Sequence, residues 1–191
     1  MENQDVVTVR NATHEDISLL AELSASTFRA TFAQDNTPED MEAYLAENFS
    51  EARLRQEVSD PLATFLIAEV SGKPLGYAKL HSGAPDASVT GTKPIELVRL
   101  YVLPESIGHG VGARLMQECI DTATSRGFET LWLGVWEHNP RAIRFYQKWG
   151  FAAVGSHVFR LGNDAQTDLI MQKSLTDPAR LKHATPRSAA R

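Results

Sequence analysis

A chain of 191 residues, 42% hydrophobic and 23% charged, can bury one ordinary core and has neither a disordered nor a fibrous composition. The net charge of −5 hides a basic end, Arg180, Lys182, Arg187 and Arg191 against Asp177 (+3); the remaining −8 disfavours nonspecific binding to nucleic acid. One cysteine, Cys119, excludes an internal disulfide and a cysteine-based zinc site; without a bilayer-length apolar run or a secretory start, a cytoplasmic protein with no membrane partner is expected.

Val6 to Arg10 reads as a first strand. Thr13, with Asp16 three residues on, is a capped start for a helix to about Arg29. Pro38 to Asn48 is a second helix, with Thr37 as cap and proline at the first position, where its missing N–H costs nothing; Glu51 to Val58 adds a short third. Thr64 to Val70 and Pro74 to Leu80 form a hairpin around Ser71-Gly72-Lys73. His81 to Pro94, with its glycines, serines and prolines, reads as a loop. Ile95 to Leu103 carries apolar residues on both faces, as a covered central strand requires. Beyond Gly108 to Gly112, a helix sets Leu115, Met116, Cys119, Ile120 and Ala123 on one stripe and stops at Gly127. Leu131 to Trp136 is another apolar strand, and Asn139-Pro140 opens a helix to about Trp149. Strands near Phe151–Arg160 and Thr167–Lys173 follow. The basic tail from Thr176 lacks periodicity and is expected to be disordered, leaving residues 1–175 as one domain. The order predicts a mixed α/β (α+β) fold, one mostly antiparallel sheet of about seven strands with helices on both faces.

A strand running into Gly108-His109-Gly110-Val111-Gly112 and then a helix suits a phosphate. Glycines let the backbone approach an anion, and the helix start offers free N–H groups at the positive end of its dipole. Taken alone, the glycines better suit a tight, closely packed turn. A Walker loop would need Gly-Lys-Ser/Thr, which is missing. A dinucleotide fingerprint belongs in the first strand–helix unit, whereas this loop comes mid-chain after a hairpin.

Leu100-Tyr101-Val102-Leu103-Pro104, Gly108-x-Gly110-x-Gly112, Asn139 and Phe145-Tyr146-x-x-x-Gly150-Phe151, in that order and spacing, resemble the signature of the GNAT superfamily of N-acetyltransferases. The resemblance implies the GNAT fold, acetyl-CoA as co-substrate, no metal, and direct transfer to a primary amine without an acyl-enzyme. It implies backbone contacts from Leu100, Tyr101 and Val102 to the pantetheine arm. It also implies a pyrophosphate cradle of Gly108, His109, Gly110, Val111, Gly112, Ala113 and Arg114, with Asn139 and Tyr146 completing the cofactor site. Tyr146 becomes the general acid for the departing thiolate, a task that suits a hydroxyl with an ordinary pKa of about 10; a core tyrosine is the plainer reading. Asn139, before Pro140, is also a good helix cap, and the two roles are compatible. A backbone amide near Val102 is the expected stabiliser of developing negative charge. An amine of pKa about 10.4 is almost wholly protonated at neutral pH, so a proton acceptor is needed. Glu96, polar among Ile95, Leu97 and Val98, is the candidate base, acting through water; a salt bridge to Arg99 is the structural alternative. Ile107 departs from the Gln or Arg usual in the family, which implies weaker cofactor affinity, with His109 and Arg114 available as compensating contacts. Cys119, on an apolar stripe, points away from a cysteine nucleophile.

Thr27-Phe28-x-x-Thr31-Phe32, Asn36-x-Pro38-Glu39-x-Met41-x-Ala43-Tyr44-Leu45, Trp132-Leu133-Gly134-Val135-Trp136-Glu137 and Gln166-Thr167-Asp168-Leu169-Ile170-Met171 resemble one branch, the PaiA-type spermine/spermidine N-acetyltransferases. This implies a small-molecule amine held between the first helices and the last strands. Phe28, Phe32, Glu39, Glu137 and Asp168 are the candidate contacts, because aromatic faces and carboxylates suit a linear polycation. Singly, each acid reads better as a solvated surface charge, and only the group supports a cationic substrate. A homodimer is possible by analogy with the family. Acetylation of a protein or peptide, or a noncatalytic acyl-CoA sensor, are the rival readings.

Overall fold

The computed structural model describes residues 6–161 and 164–176; the side chains of residues 159–165 and the basic tail from Asp177 onward lie outside the described residues. Local signals start most of the helices. At Thr13 a capping box, in which Asp16 accepts the Thr13 N–H at 2.8 Å, opens a short 3-10 turn that runs into α1, Ile17–Phe32. Thr37 and Ser50 cap α2, Pro38–Asn48, and α3, Glu51–Val58. The exception is α4, Val111–Ser125, which begins at Gly110 in the left-handed region with no side-chain cap. Asn139 caps α5, Pro140–Lys148.

Among the described residues seven strands form one sheet in the order β1-β2-β3-β4-β5-β7-β6. In chain order they are β1 Thr8–Asn11, β2 Ala63–Val70, β3 Lys73–His81, β4 Pro94–Val102, β5 Thr130–Trp136, β6 Ala152–Leu161 and β7 Asp164–Ser174. The GNAT fold, a mostly antiparallel sheet flanked by helices, is the expected one. The first strand begins two residues later than its composition suggests, because its ladder with β2 starts at Thr8↔Glu69. α1 continues past Arg29 to Phe32, whose ring packs against Phe28 at 4.5 Å.

Strand alternation divides the apolar residues between two cores. Leu66, Ala68, Ala78, Leu80, Ile95 and Leu97 face α4, whose Leu115, Met116, Cys119 and Ala123 are fully buried. Phe65, Ile67 and Tyr77 face the other way, onto Leu20, Leu23, Met41 and Leu54 of the first three helices.

Two irregularities in β4 open the middle of the sheet. The β3 ladder pairs Lys79 with Arg99 and Leu80 with Leu97, which leaves Val98 as the extra residue of a bulge. On its other edge β4 meets β5 in the sheet's one parallel pairing among the described residues, and only through Pro94↔Thr130, Ile95↔Leu131 and Glu96↔Trp132. β5 meanwhile stays paired with β7 along its whole length, from Thr130↔Ser174 to Trp136↔Asp168. Beyond Glu96 and Trp132 the two central strands therefore have no ladder between them, and a cleft forms where it would have continued.

Candidate active site

The cleft has a volume of 690 Å³ and runs from the glycine loop, through the gap between β4 and β5, to α1 and α2. One end is made of backbone. Gly108 (φ +87°) and Gly110 (φ +83°) are in the left-handed region, where a side chain would be strained. The loop is closed by Ser106 N–H to Leu103 O at 2.8 Å and His109 N–H to Ser106 O at 3.3 Å. The first helical bond of α4 is Arg114 N–H to Gly110 O at 2.9 Å, so the amides of Val111, Gly112 and Ala113 precede any helical acceptor. A Cβ on Gly112 would stand 3.7 Å from Val102 and 3.9 Å from the Phe145 ring, ordinary contact distances, so packing at this position does not demand a glycine. Uncapped amides at a helix start suit a bound anion.

The predicted cradle is only partly at this surface. Gly108, Gly110, Gly112 and Ala113 border the cleft, as do Leu100, Tyr101 and Val102 along the part of β4 that is paired with β3 but not with β5. Val111 turns its side chain into the core, 1% exposed, and has only its backbone to offer. The His109 and Arg114 side chains do not border the cleft: His109 is exposed, and Arg114 is drawn to Glu118 at 2.8 Å, one helical turn on. Ile107 does border it, 40% exposed.

Asn139 and Tyr146 line the α5 side. Asn139 accepts the Ala142 N–H at 3.1 Å, so the capping role holds, and its residue remains at the cleft wall. Tyr146 is wedged between Phe145 (5.5 Å) and Phe151 (5.8 Å), and its hydroxyl has no hydrogen-bond partner among the described residues. Burial, with a smaller contribution from nearby Cys119, pushes its pKa well above the ordinary range. Such a hydroxyl stays protonated and can give its proton only to a strong base formed beside it.

The other end is made of side chains. Phe28 stacks on Tyr44 at 4.6 Å, and Phe32 reaches from α1 to Trp136 of β5 at 6.1 Å, giving an aromatic wall. Across from it are Glu96, on the last β4–β5 pair, and Asp168, opposite Trp136 on β7. Burial raises the pKa of both carboxyls, opposed for Glu96 by His81, Lys79 and His157 and for Asp168 by His157. The alternative pairing of Glu96 with Arg99 does not form. Buried Glu57 of α3 takes Arg99 instead, at 2.7 and 3.1 Å, together with Lys79 at 3.0 Å. Glu39 and Glu137 are exposed and do not border the cleft. Trp136 takes the cleft-facing position beside Glu137, and on α2 Met41 and Leu45 are the residues turned inward.

Reading the sequence missed His157 and Asp86. His157 borders the cleft, with Nδ1 3.3 Å from Asp86 Oδ2 and Nε2 4.0 Å from Asp168 Oδ2. The Asp86 contact joins residues 71 apart, one in a loop and one in an edge strand, and no spacing in the sequence announces it. Gly134, also at the cleft, stood inside a motif but was not assigned a part in the site.

Residues 25–151 match the Acetyltransferase (GNAT) family. The chain is 32% identical, over 169 residues covering 88% of it and 98% of the relative, to an uncharacterised N-acetyltransferase of Lactobacillus delbrueckii subsp. lactis. It is 26% identical to a spermidine N(1)-acetyltransferase of Thermoplasma acidophilum, over 171 residues covering 87% and 96% of the two chains. Among solved structures it is similar to the PaiA N-acetyltransferase of Thermoplasma acidophilum in complex with coenzyme A. The TM-score is 0.69 at 25% identity, over 88% of this chain and 99% of that one. Sheet, helix order and sequence agree: the chain belongs to the GNAT family, as an N-acetyltransferase that uses acetyl-CoA as its co-substrate.

Proposed function

We propose that the chain acetylates a primary amine of a small polycation, such as spermidine or spermine. The observation that carries this reading is the acceptor end of the cleft, where Glu96 and Asp168 face the aromatic wall of Phe32, Tyr44 and Trp136. Carboxylates and aromatic faces both attract ammonium groups, and neither suits an anionic acceptor. Similarity to a spermidine acetyltransferase supports the same substrate class.

In this reading the amides from Gly108 to Ala113 hold the pyrophosphate, and the stretch Leu100, Tyr101 and Val102, paired with β3 on one edge, offers its open β5-side edge to the pantetheine arm. Asn139 borders that arm. Acetyl-CoA supplies an electrophilic thioester carbonyl. Glu96 takes a proton from the amine through water, which its raised pKa favours. Tyr146 keeps its own proton until sulfur leaves, then supplies it. A backbone amide near Val102 is the expected partner for charge on the carbonyl oxygen, and the bulge at Val98 adds further unpaired backbone on the same strand.

The test is release of free thiol from acetyl-CoA with spermidine, spermine, simple diamines, amino acids and a mixed peptide pool as acceptors. Saturable turnover confined to polyamines is expected. Turnover with peptides alone would move the substrate to proteins, and acetyl-CoA binding without any acceptor would favour a sensor.

A further inference from the structure

Resting on that reading, we infer that His157, oriented by Asp86, is a second proton acceptor for the incoming amine, which it meets together with Asp168 above Gly134. The imidazole lies between two carboxylates at unequal distances. At 3.3 Å the Nδ1–Asp86 contact is a hydrogen bond in which the ring donates, whereas 4.0 Å from Nε2 to Asp168 is too long for one. A carboxylate at Nδ1 fixes the neutral tautomer with its proton there and leaves Nε2 a lone pair. Nε2 and Asp168 Oδ2 are then two acceptors with no donor between them.

The space they share lies over Gly134. A Cβ there would stand 3.4 Å from Asp168 Oδ2 and 3.7 Å from His157 Nε2, at ordinary contact distance from both, so this position lies beside the two acceptors and the glycine leaves it open. Gly134 comes two residues after Trp132, the last β5 residue paired with β4, so this space sits where the central strands part. An ammonium carries donors only and can reach two acceptors about 4 Å apart from roughly 2.9 Å each.

The groups facing the ring are Asp86 from the β3–β4 loop, Asp168 from β7 and, within electrostatic reach on β4, Glu96; β5 offers Gly134, which has no side chain. Asp86 is itself fixed. It accepts the Ser88 N–H at 2.8 Å, and Ser88 is seated on Gly155 of β6 where a Cβ would collide with it. Thr90 and Gln172 exchange hydrogen bonds at 3.0 and 2.9 Å, tying the loop to β7. The imidazole side chain is 40% exposed and can pass a proton to water.

Acetylation of an ammonium removes two protons from nitrogen as the C–N bond forms and the C–S bond breaks. One goes to His157 Nε2 and on to solvent. The second goes through water to Glu96 and from there to solvent, while Tyr146 gives sulfur its proton and regains one from solvent. An ammonium and a thioester thus yield an amide, a thiol and one released proton.

Ring-nitrogen NMR of the full chain labelled in histidine, with His157 assigned from the His157→Gln variant, tests this without turnover. The expected result is the Nδ1–H tautomer, an Nε2 signal that moves on adding spermidine alone, and loss of the tautomer preference in Asp86→Asn. An Nε2–H tautomer, or no response to spermidine or to a peptide that proves to be the acceptor, overturns the inference. In turnover, His157→Gln is expected to lower kcat/KM about 100-fold and Asp86→Asn about tenfold, both moving the acidic limb of the pH profile, with acetyl-CoA binding unchanged. Unchanged profiles with the true acceptor would also overturn it. If that acceptor is a peptide the polyamine reading fails, while the tautomer and the pH limb still decide the part played by His157.

Discussion

The glycine-loop end of the cleft and its acceptor end solve opposite problems by different means. At Gly108–Ala113 one continuous segment supplies backbone amides suited to an anion, and the side chains at Val111 and Arg114 are turned away to the core or to Glu118. At the proposed acceptor end a cation would instead be met by side chains from α1, α2, β4, β5, β6, β7 and the β3–β4 loop, none adjacent in sequence. Backbone sites need only the right φ and a helix start. Side-chain sites need the whole sheet to be in register, and they depend on ion pairs that keep neighbouring charges occupied.

The largest effect expected from breaking this contrast is at Glu57, which supports the acceptor end from below. Removing it by Glu57→Ala leaves Arg99 and Lys79 buried without their anion and should cost about 3–5 kcal/mol in a denaturant titration. A loss below about 1 kcal/mol would mean that the pairing is a surface-like contact. Burial opposes ionisation of Glu57, but the Arg99 and Lys79 partners prevail and hold its carboxyl below the ordinary range. Its contribution is therefore present above the unfolded value of about 4.3 and is lost as pH falls through the folded one.

Next in size, Tyr146→Phe should lower kcat by about 100-fold or more while leaving the acetyl-CoA Kd unchanged by calorimetry, because only the proton is removed. An unchanged kcat across the pH range would end the general-acid assignment. Gly110→Val tests the backbone end: its φ of +83° strains any β-branched residue, and acetyl-CoA affinity should drop at least about tenfold with the fold retained. Unaltered affinity would remove the loop from the cofactor site.

The smallest effect sharpens the comparison within one residue type. Glu96 is the opposite of Glu57: burial without an ion-pair partner among the described residues raises its pKa. Its contribution to stability is complete below about 4.3 and is lost as pH rises to its folded value. Glu96→Gln should thus raise stability at neutral pH by up to about 1 kcal/mol, seen as a higher Tm, while activity falls. A lower Tm would mean that the carboxylate is held by a stabilising partner after all.

The elements were largely legible because their signals are local. Thr13 with Asp16, Thr37 with Pro38, and Asn139 with Pro140 each begin a helix where the sequence says one should begin. The stripe from Leu115 to Ala123 is buried because helical period and sheet face coincide. Motif and placement agree for the glycine loop, since positive φ and an uncapped helix start are properties of a few consecutive residues. Acids were harder: Asp168 borders the cleft whereas Glu39 and Glu137 do not, and composition cannot separate a carboxylate that faces a cleft from one that faces water.

What the sequence by itself determined is the order of elements, the anion-ready turn before α4 and the start of α5 at Asn139-Pro140, all set by short-range periodicity and backbone freedom; the family resemblance is what pointed to Asn139 and Tyr146 as site residues. Tertiary structure alone decided where β4 and β5 part, which cation Glu57 captures and so which carboxylate is left unpaired, and that Asp86 meets His157 across 71 residues. Those outcomes depend on strand register and on competition among charges. Neither exists until distant segments are brought into one sheet.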